Sequence, residues 1–292
     1  MLVITTPTGQ IGSQVLDLVL DADRPVRVIA RDPSRLPARV RERVEVVQGA
    51  ADDTGVVTKA FEGADRVLWV APPNPRAESL HGHVMDFTRP VCDAIEAQGV
   101  QRVVGVSSLG RGTARNAGQI SAVFAMDALI ESTGVHYRSL CAPGFMENML
   151  RQVEPLRSEG VFFSSVSGDR KVPTCATRDI AAVAAGLLLD ASWEGQEDVP
   201  LLGPEDLSHD DMAQIMTEVL ERPVRYQQIS GEAHRAALVR HGMSEAWARG
   251  IVAMADAADR GLYNAQPRTP QATTPTGFRQ WCREVLKPAV GA

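Results

Sequence analysis

The chain has 292 residues, 44% of them hydrophobic and 23% charged, with a formal net charge of -6 at pH 7. That length buries a full core, so a small disulfide-stapled module is excluded. The acidic balance gives no chain-wide attraction to phosphate backbones or anionic membranes, which argues against a nucleic-acid or membrane partner.

Cys92, Cys141, Cys175 and Cys282 are scattered without a CxxC pair, suggesting neither a zinc site nor a disulfide framework. No run of about 18 apolar residues is present to span a bilayer, and Met1 leads straight into an apolar run rather than a signal peptide. The expected location is the cytoplasm. Lysine occurs only at Lys59, Lys171 and Lys287, so arginine carries most of the positive charge.

In chain order, short apolar runs alternate with amphipathic stretches. The runs are LVITT (Leu2 to Thr6), VRVIA (Val26 to Ala30), VEVVQ (Val44 to Gln48), RVLWVA (Arg66 to Ala71), RVVGVSS (Arg102 to Ser108) and HYRSLCA (His136 to Ala142). Each has the length of a buried strand. Between them, Gly9 to Asp21, Ala77 to Gln98 and Gln119 to Ser132 repeat apolar residues at three- and four-residue spacing, which predicts helices. This alternation predicts an α/β fold with a doubly wound parallel sheet. Past Pro143 the pattern loosens. Thr177 is expected to cap a helix over TRDIAAVAAGLLLD, Ser208 another over LSHDDMAQIMTEVL, and VPLL (Val199 to Leu202) and VRYQQI (Val224 to Ile229) are short strand candidates. The expected division is a nucleotide-binding domain over 1–150 and a smaller α/β substrate-binding part over 151–292, with about 172–202 returning to the first core.

The stretch TTPTGQIG links the first run to the first helix. Gly9 and Gly12 have the spacing of a dinucleotide-binding turn, in which outward amides and the helix dipole favour an anion. Thr6 stands where the first glycine is usual. Pro7 biases it toward extended backbone, so Thr6 is expected to continue the strand and Pro7-Thr8-Gly9 to make the turn. After the second run, VIARDPSRL offers Arg31 and Arg35 where an acidic residue would bind a ribose diol; arginine there suits a 2′-phosphate and hence NADP(H).

With ITTPTGQIG, ARDPSRL, VVGVSSLG and STGVHYRSLCAPGFMENML in this order, the chain resembles the NmrA-like branch of the atypical short-chain dehydrogenase/reductases. The last segment is the most specific, through Pro143, Phe145, Met146, Glu147 and Asn148. The resemblance implies a Rossmann-type sheet with NADP(H) across the strand ends. It also implies reduction of quinone-, imine- or enone-like substrates, or, as in other members, sensing of nicotinamide redox state without turnover. The chain departs from the family in TTPTG for TGATG, in Ala50 for an aspartate, and in Ala142-Pro143 for Arg-Pro.

Residues expected at the coenzyme are Thr6, Thr8, Gly9, Gln10, Ile11, Gly12, Arg31, Arg35, Ala71, Pro72, Ser107, Pro143, Gly144 and Phe145. On the substrate side stand His81, His83, Phe145, Met146 and Asn148. His81-Gly82-His83 has no identifiable third ligand, so no metal is expected. Conventional members of the superfamily use Tyr-x-x-x-Lys as proton donor. Here Tyr137, Tyr226 and Tyr263 are followed four positions later by Cys141, Ser230 and Pro267. The helix GQISAVFAMDALIE offers Gln119, Ser121, Val123 and Asp127, none of which fills both roles. Ser107, Ser108 and His81 remain as catalytic candidates. The expectation is an NADP(H)-dependent reductase, monomer or homodimer, passing hydride to a small conjugated, quinone- or imine-like molecule. The alternatives are a non-catalytic redox sensor that binds a protein partner, and a non-redox cyclase or isomerase.

Overall fold

A computed structural model describes residues 1–113 and 116–291. The first half runs β1 (Leu2–Ile4), α1 (Gln10–Val19), β2 (Val26–Ala30), α2 (Ala38–Arg41), β3 (Glu45–Gln48), α3 (Thr54–Phe61), β4 (Arg66–Trp69), α4 (Leu80–Gln98), β5 (Arg102–Ser108), α5 (Gln119–Ser132) and β6 (His136–Ala142). The chain then makes β7 (Gly144–Phe145), α6 (Val153–Glu159), β8 (Val161–Ser164), β9 (Val172–Cys175), α7 (Thr177–Leu189) and β10 (Gln196–Pro200). Next come β11 (Asp206–Leu207), α8 (His209–Leu220), β12 (Arg225–Gln228), α9 (Gly231–Arg240) and α10 (Glu245–Asp259). The described chain closes with α11 (Phe278–Trp281), a π-helical turn over Cys282–Leu286 and α12 (Lys287–Gly291).

Seven strands form one sheet in the order β10-β6-β5-β4-β1-β2-β3, and every pairing in it is parallel. This is the Rossmann order, extended by β10 beside β6. Alternate residues of each strand enter opposite cores. Leu2, Ile4, Val28, Leu68, Val104 and Leu140 face α1 and α7, while Val3, Ile29, Val67, Trp69, Val103 and Tyr137 face α3, α4 and α5. Burial on both faces explains why these strands read as continuous apolar runs. A third core, around Leu156, Phe162, Met216, Phe278 and Trp281, holds the last part of the chain together.

The edge of the sheet where the strands begin is closed by arginines. Arg27, Arg66, Arg102 and Arg138 are all under 9% exposed. Arg27 donates to the carbonyls of Ala60 (2.8 Å) and Glu62 (2.7 Å) at the end of α3, and Arg66 donates to Leu188 O (2.6 Å) at the end of α7. Arg102 donates to Trp193 O (2.9 Å) and Arg138 to Glu194 O (3.1 Å), with both guanidinium groups over the Trp193 ring. At the ends of α3 and α7, Arg27 and Arg66 satisfy orphan carbonyls and the helix dipole together.

Several boundaries differ from the sequence reading. β1 stops at Ile4, because Thr5 turns aside: its N–H and its Oγ1 both donate to Leu68 O of β4 (3.3 and 2.9 Å). Thr6 therefore lies in the turn and does not continue the strand. β4 ends at Trp69, two residues short of expectation, and β10 begins three residues earlier than the VPLL run. Ala176, not Thr177, holds the capping position of α7, and the capping acceptor comes from Glu147, whose Oε2 accepts Thr177 N–H at 3.0 Å. Ser208 does cap α8, with Ser208 and Asp211 bonding reciprocally at 3.0 Å.

Candidate functional site

All seven strands point the same way, so the loops after β1, β2, β4, β5 and β6 gather at one edge of the sheet. The strand order reverses direction between β1 and β4, and the crevice outside that pair is where open sheets of this kind bind ligands. At its centre, Gly9 N–H donates to Thr6 O (3.1 Å), which closes a turn around Pro7 and Thr8. Gly9 then stands at the start of α1 with φ -80° and ψ 165°, with no capping side chain and no acidic residue in the first turn. The first-turn amides of α1 thus have no side-chain acceptor among the described residues. Gly12 fits because a Cβ there would lie 2.0 Å from Thr6 O. The helix packs against the turn at backbone distance. Thr6 Oγ1 is buried with no hydrogen-bond partner among the described residues.

Beyond β2, Arg31 and Arg35 are exposed, and neither pairs with a carboxylate among the described residues. Their neighbours behave differently: Arg39 pairs with Asp17 (2.7 Å) and Arg43 with Asp21 (3.1 Å), both carboxylates on or just after α1. Asp32, between the two free arginines, accepts the Ser34 N–H and hydroxyl, which draw its carboxyl below the usual range. A group carrying a pyrophosphate and a 2′-phosphate fits this arrangement of open amides and unpaired guanidinium groups.

After β4, Ala71 and Pro72 open the proline-rich loop. His83 Nε2 donates to Pro72 O at 2.8 Å, and its ring lies 4.8 Å from Phe87 and 6.2 Å from Trp247. His83 thus braces that loop against α4. His81, in the first turn of α4, is exposed. The loop is further held by Ser244 at the start of α10, whose N–H donates to Pro75 O (2.8 Å) and whose hydroxyl donates to Ala77 O (2.6 Å).

At the end of β5 a polar cluster lies inside the protein. Asp127 of α5 is fully buried and accepts from the Ser107 hydroxyl, the Tyr137 hydroxyl (2.6 Å) and Arg111 (2.9 Å). Arg111 also pairs with Glu131 (2.6 Å) and Asp198 (3.0 Å). Burial pushes the Asp127 carboxyl up to about 6, against the Ser107 and Tyr137 hydrogen bonds and the Arg111 charge, with Glu131 adding to the rise. Sequence reasoning considered Asp127 only as a stand-in for a tyrosine or lysine and missed this cluster. A signal was available, since Asp127 follows Ile120 by seven residues and so shares its buried helix face. Ser108 donates within its own loop, to Leu109 O at 3.3 Å.

After β6, Pro143 is buried, while Gly144 and Phe145 form β7 beside Thr174 and Cys175 of β9, with Phe145 packed on the α1-side core. Asn148 is exposed. Met146 corrects the expectation of a substrate-side residue. It is 3% exposed and lies in the third core with Leu156 and Phe162, because the chain turns inward after Phe145. Glu147 is the residue of this segment with a visible task. Its two oxygens accept from Thr177 N–H and from Trp281 Nε1 (3.1 Å), which ties α7 to α11.

Among the described residues, no group of three or more His, Cys, Asp or Glu could hold a metal ion, and no helix is long and apolar enough to cross a membrane. A model of an NAD(P)H-binding family matches residues 7–191. A (4-alkanoyl-5-oxo-2,5-dihydrofuran-3-yl)methyl phosphate reductase of Streptomyces griseus is 30% identical, over 82% of this chain and 80% of its own length. An NAD(P)H azoreductase of Xenophilus azovorans is 28% identical, over 85% of this chain and 84% of its own. Among solved structures, an NADPH-dependent quinone oxidoreductase of Escherichia coli superposes with a TM-score of 0.80 at 22% identity, covering 98% of this chain and 100% of that one. The chain belongs to this NAD(P)H-binding family, in keeping with its NmrA-like, atypical short-chain dehydrogenase/reductase motifs.

Proposed function

From that membership we propose a reductase that draws on NADP(H) and passes hydride to a small conjugated acceptor of quinone, imine or azo type. The Gln10, Ile11 and Gly12 amides hold the pyrophosphate, and Arg31 and Arg35 hold the 2′-phosphate. Bound there, the reduced nicotinamide supplies the hydride. Ser107 and the Ala71–Pro72 loop flank the reacting end, and Phe145 gives it an apolar wall.

One observation carries the choice of acceptor: every tyrosine is committed elsewhere. The Tyr137 hydroxyl donates to Asp127 in the core, Tyr226 donates to the carbonyls of Ser164 (2.9 Å) and Val166 (2.5 Å), and Tyr263 is buried, with its hydroxyl pushed well up by burial. Among the described residues, no tyrosine is positioned with a lysine to protonate a developing alkoxide. Quinones and azo compounds take the arriving charge into a conjugated system, and an iminium is neutralised by it, so positioning and water exclusion can carry catalysis. The names of the relatives, an azoreductase and a furanone phosphate reductase, support this reading.

The test follows loss of the nicotinamide absorbance when NADPH and the protein meet a panel of quinones, azo dyes, iminium dyes and simple ketones. Turnover of conjugated acceptors with little or none of ketones is expected. Ketone reduction at a comparable rate would refute the proposal.

A further inference from the structure

Ser107 is the last residue but one of β5, at the edge where the proposed function seats the nicotinamide, so this inference rests on that reading. A serine hydroxyl has one hydrogen and two lone pairs, and the Ser107 hydrogen is given inward to Asp127. An ionised carboxylate only accepts, and Asp127 is met by three donors: Ser107, Tyr137 and Arg111. While it is charged, Ser107 has nothing but lone pairs for the cleft. We propose that Asp127 is a positioning residue whose charge makes Ser107 a hydrogen-bond acceptor toward the coenzyme, and that protonating Asp127 reverses this polarity.

The chemistry of the reversal is simple. Neutral Asp127 gains an O–H of its own, which donates to Ser107, and the Ser107 hydrogen is then free to turn outward. Acceptor Ser107 suits the carboxamide N–H of the coenzyme, and donor Ser107 meets that N–H hydrogen to hydrogen.

The surroundings leave Asp127 as the group that changes charge. From β6, Tyr137 has its hydroxyl pushed well up by burial and stays a donor, and Cys141 has its thiol pushed up to about 12. Arg111, from the segment after β5, is held charged by Asp127, Asp198 and Glu131 against the cost of its own burial. Glu131 faces the cluster from α5 itself and Asp198 from β10, both through Arg111. Arg111, Gly110, Ser108, Asp198 and Gln266 line a small hollow beside the cluster.

The experiment compares wild type, Ser107→Ala, Asp127→Asn and the double variant, with NADPH affinity read from tryptophan fluorescence at about pH 7.5 and about pH 5. The coenzyme's 2′-phosphate itself titrates near pH 6, so the readout is the ratio of variant to wild type at each pH. Ser107→Ala should weaken binding about three- to tenfold at the higher pH and little or not at all at the lower. In the Asp127→Asn background, the same alanine should cost nothing at either pH. A ratio independent of pH, or a full Ser107→Ala loss when Asp127→Asn is already present, overturns the proposal.

A second readout needs no coenzyme. The infrared carbonyl band of protonated, isotope-labelled aspartate should grow in as pH falls through about 6, be missing in Asp127→Asn, and move in Ser107→Ala. A band unmoved by Ser107→Ala overturns the Ser107–Asp127 link. If that link holds and wild type fails to bind NADPH at all, the coenzyme reading is what fails.

Discussion

Gly105 and Tyr137 interlock on adjacent strands: a Cβ at position 105 would stand 2.0 Å from the Tyr137 hydroxyl oxygen and 2.7 Å from Cζ. The two strands are paired so that Val103 lies opposite Tyr137 and Gly105 opposite Ser139, which makes Gly105 the diagonal neighbour of the tyrosine on the same sheet face. The phenol crosses that bare position to reach Asp127.

Gly105→Ala should therefore cost about 3 kcal/mol, through overpacking and loss of the Tyr137–Asp127 bond. Tyr137→Phe alone should cost about 1–2 kcal/mol. Because both changes break the same contact, the double variant should be less destabilised than the sum of the singles by at least about 1 kcal/mol. Urea midpoints of the four proteins measure this, and strict additivity would show that the interlock has no energetic weight.

The two glycines of the first turn should separate by experiment. Gly12→Ala drives a Cβ to 2.0 Å from Thr6 O, a backbone atom, so both folding stability and NADPH binding should fall. Gly9→Ala meets Thr6 O at 3.4 Å, an ordinary contact. Its melting temperature should stay close to wild type while coenzyme affinity drops, since the space above Gly9 is where a pyrophosphate would approach. Unchanged NADPH affinity in Gly9→Ala would place the phosphate elsewhere.

Arg31 and Arg35 should act on one coenzyme and not the other. Replacing both with alanine should raise the Kd for NADPH by about ten- to a hundredfold, the worth of charge-assisted bonds to a phosphate, and leave NADH nearly unchanged. Stability should not move, because neither arginine makes an ion pair among the described residues. Parallel titrations with the two nucleotides decide it, and equal losses for both would refute the 2′-phosphate assignment.

Acid should reveal two buried groups pulling in opposite directions. His209 is stacked on Tyr226 (4.6 Å between centroids), and burial lowers its pKa to about 4 against the pull of Asp259 and Asp210. The folded state resists that proton, so the His209 contribution is complete above about pH 6.5 and is lost as pH falls toward 4. Asp127, raised to about 6, does the reverse: its contribution is complete below about pH 3.8 and is lost as pH rises through 6. His209→Phe, which keeps the stacking, should be favoured over wild type by about 2 kcal/mol more near pH 5 than near pH 7.5. Asp127→Asn should show the opposite trend. Denaturant titrations at the two pH values test both signs.

Much of the fold was legible because a parallel sheet buried on both faces leaves uninterrupted apolar runs. β2, β5 and β6 match the runs residue for residue. Gly12 was legible for a related reason, as its need is local and steric. Met146 was placed on the substrate side, and the cluster around Asp127 was missed, because both environments are set by other parts of the chain. Met146 meets Leu156 and Phe162, and Asp127 meets residues 107, 111 and 137. Glu147 was visible as part of a motif, but its partners Thr177 and Trp281 lie 30 and 134 positions away.

The ring of Arg27, Arg66, Arg102 and Arg138 gives the two rims of the sheet unlike characters. On one rim, Arg27 and Arg66 give their guanidinium groups to helix-end carbonyls and Arg102 and Arg138 theirs to carbonyls of the segment after α7, and lysine, with a single compact ammonium, has no fork to span two carbonyls. On the other rim a helix begins with its amides unspent. An anion arriving from solution therefore meets free helix amides at one rim and, at the other, guanidinium groups already bonded to carbonyls.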